Sequence, residues 1–192
     1  MRAGAPVTDE AFDALYPGAE RRRSGAHWTP VAVALRVSAM LSPCAAVLDV
    51  GSGGGKMCAI GALTSRGYWT GVERDPRLVR AAIRVARDLG VDDRAQFIEG
   101  DGLALDWSLF AGIYLYNPVA EAVFAAEGKT ADEGQTAYGE AIEAVEAKLA
   151  ALAAGTRVVT LFGFGGDVPD TFECTERVPI HGDTLCLWIR RG

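Results

Sequence analysis

The chain has 192 residues, 49% hydrophobic and 23% charged, and a formal net charge of -6. A single domain of that length buries roughly 70% of the surface its unfolded form exposes, and this apolar content is too high for a disordered chain. The acidic balance argues against a surface that grips nucleic acid throughout, because neutralising phosphates takes clustered Lys and Arg, and Arg21-Arg22-Arg23 is the only basic run.

Taken in chain order, the first 45 residues hold a short apolar segment (Phe12, Leu15, Tyr16) and then a helix predicted from Pro30 to Leu41, with Thr29 as N-cap and Pro30 at N1. Val47 to Val50 is an apolar run ending in glycines, the pattern of a parallel strand buried on both faces. A helix over Lys56 to Ser65 and a second strand over Tyr68 to Val72 follow. Asp75-Pro76 then opens a helix with Val79, Ile83, Ala86 and Leu89 on one side and Gly90 at its C-terminal end. Ala95 to Glu99 and Gly112 to Tyr116 read as the third and fourth strands. Pro118 to Phe124 suggests one or two helical turns, and Glu127 to Gln135 is polar enough to be mobile. Thr130 and Glu133 fit a capping box for a helix running to about Ala153. Thr156 to Phe162 reads as a fifth strand, and Thr171 to Ile180 and Thr184 to Ile189 as a closing antiparallel pair around His181-Gly182-Asp183. Five alternating units plus this end fit a doubly wound α/β sheet.

No stretch reaches the ~18 apolar residues of a membrane span, and MRAGAPVTDE lacks an apolar h-region, so the sequence reads as cytoplasmic. Cys44, Cys58, Cys174 and Cys186 form no C-x-x-C pair and have no histidine at zinc spacing. Reduced thiols and no metal are therefore expected.

Ligands of an open parallel sheet bind at the carboxyl ends of its strands, where the strand order reverses. The loop after the first strand is Gly51-Ser52-Gly53-Gly54-Gly55, able to turn tightly and admit a ligand to its backbone, with amides and a helix start that suit a carboxylate. The dinucleotide fingerprint G-x-G-x-x-G wants glycine where Lys56 stands, so a nicotinamide site loses its best signature. Glu73 ends the second strand about 20 residues beyond the glycines, where a carboxylate accepts from both ribose hydroxyls; the plain alternative is a solvated strand end. Gly100-Asp101-Gly102 could serve a ligand or merely a turn. Asn117 before Pro118 could contact an acceptor or simply cap a helix. Trp107 could flank a base or pack in the core; His27, Trp28 and Thr29 could fold over a ligand, with a surface position the alternative for His27.

Together, Asp49-Val50-Gly51-Ser52-Gly53-Gly54-Gly55 resembles the acidic residue and G-x-G-x-G turn of class I S-adenosylmethionine-dependent methyltransferases. GVERDP resembles that family's ribose motif, and Gly100-Asp101-Gly102 its adenine-binding acidic loop; the resemblance covers Val47 to Ile189. It implies a mostly parallel, doubly wound seven-stranded sheet with an antiparallel C-terminal strand. It also implies one domain over residues 1–192, with 1–45 as a helical cap and 46–192 as the core. The cofactor implied is S-adenosyl-L-methionine, bound by Asp49, Gly51, Ser52, Gly53, Gly55, Glu73, Arg74, Asp101, Gly102 and Thr29. Tyr116-Asn117-Pro118 partly resembles the N-P-P-Y motif of amino-methyltransferases, with Val119 and Ala120 in place of the second Pro and the aromatic. That similarity implies Asn117 and Tyr116 as the catalytic pair. A looser similarity runs to lysine methyltransferases of nucleosomal histone. The expected partner is a methyl acceptor, a small molecule or a protein lysine, rather than nucleic acid or membrane. The alternatives are a cofactor-binding module without turnover and a nicotinamide-dependent oxidoreductase.

Overall fold

The computed structural model describes residues 7–21, 28–118, 131–180 and 183–192. Its strands are β1 (Ala46–Val50), β2 (Tyr68–Glu73), β3 (Ala95–Glu99), β4 (Gly112–Tyr116), β5 (Arg157–Leu161), β6 (Phe172–Ile180) and β7 (Asp183–Arg190). They form one seven-stranded sheet in the order β3-β2-β1-β4-β5-β7-β6. The first five pair in parallel, and β7 runs antiparallel between β5 and β6. This is the mostly parallel sheet with an antiparallel C-terminal strand that the resemblance implies.

The helices are α1 (Asp9–Asp13), α2 (Gly18–Arg21), α3 (Val31–Leu41), α4 (Lys56–Thr64), α5 (Pro76–Asp88) and α6 (Ala131–Ala150). Because β1 is central and covered on both sides, its residues alternate between two cores instead of between core and water. Val47 packs with residues of α1, α3, α4 and α5, whereas Leu48 and Val50 pack with Val145 and Leu149 of α6. Burying each such side chain contributes about 1.5–3 kcal/mol. From β1 the chain steps outward to β2 and β3, then crosses back to β4 on the other side of β1. The reversal puts the crevice above β1 and β4, where such sheets bind ligands.

Local sequence signals explain most boundaries. Asp75 caps α5 by accepting from the Arg77 amide at 2.9 Å, with Pro76 in the first turn, and Gly90 follows the helix at φ 67°. Along α6, Ala141, Val145 and Leu149 are buried, as is Leu152 just beyond it. The polar stretch expected to be mobile is helical from residue 131 onward. Thr130, the turns expected from Val119 to Phe124, Arg22, Arg23, His27 and the His181-Gly182 turn lie outside the described residues.

Two of the departures from the expected boundaries have a clear local cause. Pro30, not Thr29, occupies the N-cap position of α3, and the Val31 amide donates to Asp9 Oδ1 at 2.8 Å. Thr29 is buried over β4, and its hydroxyl pairs with that of Tyr114 at 3.1 Å, since a buried phenol needs a partner. The fifth strand stops at Leu161 because Phe162 adopts φ 60°, a left-handed conformation that cannot continue a strand. Among the described residues no helix is long and apolar enough to cross a membrane.

Candidate active site

The loop after β1 is shaped by backbone conformations that glycine permits. Gly51, Gly53 and Gly55 have φ of 75°, 54° and 76°. A Cβ on Gly55 would lie 2.4 Å from Phe97 and 2.7 Å from Ala82, so α4 could not start where it does with any side chain there. Gly51 is different: a Cβ would meet nothing within 4 Å, and its bare Cα faces the crevice. Two clefts meet at this residue. One is lined by Gly51, Glu73, Arg74, Asp101, Gly102 and Pro118 among others. The second is lined by Gly51, Thr29, Asp49, Ser52, Tyr114 and Tyr116 among others.

Glu73 is 4% exposed, and its carboxylate is fixed by two backbone amides, Gly53 N–H on Oε2 at 2.9 Å and Asp75 N–H on Oε1 at 2.8 Å. Each oxygen keeps a second lone pair, so the group is oriented and still able to accept from two hydroxyls. This is not a solvated strand end. Asp101 accepts from the Leu103 amide at 2.9 Å and pairs with Arg74 at 2.8 Å. Burial alone would raise its pKa, but the amide and the guanidinium outweigh burial and hold it below the usual carboxylate range. Asp101 thus serves as turn cap and cleft wall together. Trp107 is core: it is 1% exposed and its indole donates to the Gly102 carbonyl at 2.8 Å, bracing the cleft from behind.

On the other side of Gly51, Asp49 is 3% exposed. Burial pushes its carboxyl up to about 7, against the Cys58 thiol, which donates to it at 3.5 Å, and with the help of the neighbouring Glu73 charge. Burial likewise raises the Tyr114 phenol, and raises Tyr116. These phenols remain neutral near pH 7 and can act only as hydrogen-bonding or packing groups.

Sequence reasoning treated Lys56 only as a missing glycine. In the fold it is a buried ammonium, 3% exposed, that donates to Asp9 at 2.5 Å and Asp13 at 2.8 Å, one turn apart on α1. Asp9 also caps α3, so one carboxylate ties three helices. Behind this clip, Tyr16 packs edge-on to Trp28 with centroids 4.4 Å apart. The Trp28 ring backs Gly53 and Gly54, where a Cβ on Gly54 would approach it to 2.9 Å. The residue pattern that could have revealed this is the Asp9, Asp13 spacing, four residues apart on a helix, but nothing local points it at residue 56.

At the end of β4, Asn117 has φ 44°. An N-cap has extended backbone, so the helix-cap reading of Asn117 does not describe this conformation. Tyr116 lines the second cleft, and its ring stacks on Phe162 with centroids 5.6 Å apart and planes 24° from parallel. The pair of loops after β4 and β5 was not singled out as aromatic by the sequence.

Residues 18–113, half of the chain, match the family model described as protein-L-isoaspartate(D-aspartate) O-methyltransferase (PCMT). The chain belongs to the PCMT methyltransferase family. Its cofactor is S-adenosylmethionine, and the oriented Glu73 carboxylate and the open cradle at Gly51 fit that molecule's hydroxyl-bearing ribose and its amino-acid end. The family match stops at Ile113 within β4, short of Tyr116 and of all the elements that follow. Among solved structures, the fold is similar to an RNA methyltransferase from Salinibacter ruber determined with S-adenosyl-L-homocysteine. That pair shares 24% identity, covering 84% of this chain and 90% of the other, with TM-score 0.61. A methyltransferase from Geobacter sulfurreducens shares 15% identity, covering 97% of this chain and 93% of that one, with TM-score 0.65. The mitomycin 7-O-methyltransferase shares 15% identity, covering 84% of this chain and 54% of that one, with TM-score 0.60. These likenesses establish the class I methyltransferase fold without choosing an acceptor, and nucleic acid is not excluded by it. No curated protein matches the chain.

Proposed function

We propose that this chain transfers the methyl group of S-adenosylmethionine to an amine, on a small molecule or a protein lysine. The carrying observation is the pair of clefts meeting at Gly51, with an oriented, amide-bound carboxylate at Glu73 on one side and Asp49, Thr29 and Tyr114 on the other. In this reading Glu73 accepts from the ribose hydroxyls, and Arg74, Asp101 and Gly102 border the adenine. The amides of Gly51, Ser52, Gly53 and Gly55 hold the methionine carboxylate at the start of α4, with Asp49 and Thr29 beside its cationic end. When bound, the cofactor supplies an electrophilic methyl on a sulfonium, so holding the acceptor in line supplies much of the catalysis.

Asn117 and Tyr116 are the residues proposed to do that holding. Asn117 follows β4 in an exposed, left-handed conformation, and its side-chain carbonyl can accept from an amine N–H. Residues 1–45 would form the cap and residues 46–192 the core of one domain. The family description favours a second reading, methylation of a carboxyl oxygen on a protein.

Calorimetry with S-adenosylmethionine, S-adenosylhomocysteine and NAD tests the reading at its base. Binding of the two sulfur ligands and not of NAD is expected; a chain that binds neither sulfur ligand defeats the assignment.

A further inference from the structure

We infer that the outward face of α5 is a docking surface for an acidic helix of a partner protein. Arg77, Arg80, Arg84 and Arg87 recur at three and four residues, so they share one face of the helix, and all four are exposed. Leu78, Ala81, Val85 and Ala86 on its other side are buried in the core. Exposed helices usually interleave both signs of charge, because like charges three or four residues apart repel and opposite ones attract. Here the nearby carboxylates stand at the ends of the row: Asp75 at the cap pairs with Arg77 at 3.3 Å, and Asp88 closes the helix. None of Arg80, Arg84 and Arg87 forms an ion pair with a described residue, and Arg84 donates to the Leu15 carbonyl at 3.3 Å. Arg77 also lies in the first turn, where the helix dipole disfavours a cation. A row assembled against both effects, in a chain of net charge -6, presents uncompensated positive charge to a partner.

Spacing and surroundings select the partner. At about 1.5 Å per residue the row spans about 15 Å, in steps of about 4.5, 6 and 4.5 Å. A second helix with carboxylates at i, i+3, i+7 and i+10 repeats those steps, and each carboxylate meets a guanidinium able to bind it through two N–H groups. A strand does not, because its same-face side chains recur evenly at about 6.7 Å. A phosphate backbone would run on beyond the row into Asp75 at one end and Asp88, Asp92 and Asp93 at the other. The segment Pro76–Asp88 also carries no aromatic ring on which a base could stack. Exposed ion pairs of this kind choose a partner and steer its approach more than they tighten its hold.

This docking surface does not depend on the methyl-transfer reading, and its test uses the full chain without cofactor. Two Ala-rich, fluorescein-labelled peptides of 20 residues and equal composition are compared by fluorescence anisotropy, one with Glu at i, i+3, i+7 and i+10, the other with the same four Glu spread around the helix. The matched peptide is expected to bind about 5-fold more tightly or better, the upper range of one exposed ion pair, and to lose affinity as salt rises. Arg80→Gln with Arg87→Gln should erase the preference yet melt no lower than the wild type, because it relieves like-charge repulsion. Arg80→Glu with Arg87→Glu should transfer the preference to a peptide carrying Lys at the matched positions. Equal binding of the two Glu peptides, binding of neither, or a preference that survives the Gln pair would overturn the inference. Tighter binding of a 20-nucleotide oligouridylate than of the matched peptide, lost in the Gln pair, would overturn it too and give the row to a polynucleotide.

Discussion

The two halves of the sheet's upper edge present different chemistry. Above β1, β2 and β3 stand glycines and carboxylates, held by backbone amides and packed from behind by Trp28, Phe97 and Trp107. Above β4 and β5 stand aromatic rings and two non-glycine residues at positive φ, Asn117 and Phe162. The family match covers the first half and ends inside β4. In the proposed reading the cofactor accounts for the first half, its hydroxyls meeting Glu73 and its amino-acid end the glycine turn. In the same proposed reading the second half faces the acceptor, and there Asn117 and Phe162 hold backbone conformations that non-glycine residues seldom adopt.

If the halves differ in this way, substitutions should separate into those that unseat the cofactor side and those that touch only the acceptor. The largest effect is expected at Lys56. Lys56→Met leaves Asp13 buried without its cation, and breaking a buried pair costs about 3–5 kcal/mol. Thermal unfolding should show that loss, and intrinsic tryptophan fluorescence should report a loosened Trp28. A melting temperature equal to the wild type would mean the clip does not hold the N-terminal segment.

Asp49 should come next, through pH. Its carboxyl titrates near 7 in the fold and near 3.8 when unperturbed. Between those values the unfolded chain has released a proton that the folded chain keeps, so stability falls as pH rises from about 4 to about 7 and levels off above, by up to about 4 kcal/mol. Asp49→Asn, neutral throughout, should flatten that slope in denaturant melts taken at pH 5, 6 and 7. A slope of the same size in the variant would assign the pH dependence to another group.

The same division governs how much could be read from the residues alone. The strands and helices and the mostly parallel sheet were legible because they follow from local signals: apolar runs, Asp75-Pro76, and glycines at positions that demand positive φ. The Lys56 clip was not, because Asp9 and Asp13 lie more than forty residues from their partner, and only tertiary packing brings them together. Thr29 misled for a related reason. Its sequence neighbour Pro30 made it look like a cap, while its actual partner, Tyr114, is 85 residues away. The Tyr116–Phe162 pair was illegible for a third reason, since neither residue predicts its own left-handed neighbour or backbone, and the stacking depends on both.

On the cofactor side, Glu73→Ala should weaken S-adenosylmethionine binding 10-fold or more, because a charged acceptor to hydroxyls contributes about 1.5–3 kcal/mol. Calorimetry reads this directly, and an unchanged affinity would remove Glu73 from the ribose.

The smallest effect, and the one that best separates the halves, belongs to Asn117. Asn117→Ala removes one neutral hydrogen-bonding group, worth about 0.5–1.5 kcal/mol, so turnover should fall by about 10-fold at most. Cofactor affinity should stay within error of the wild type, because Asn117 is not among the residues that fix the Glu73 carboxylate or the glycine turn. Steady-state kinetics distinguish its role further. A fall in kcat with KM unchanged marks a contact made as the methyl moves, whereas a rise in KM alone marks one made equally to the waiting amine. Equal loss of cofactor affinity would join Asn117 to the first half of the site and dissolve the contrast between them.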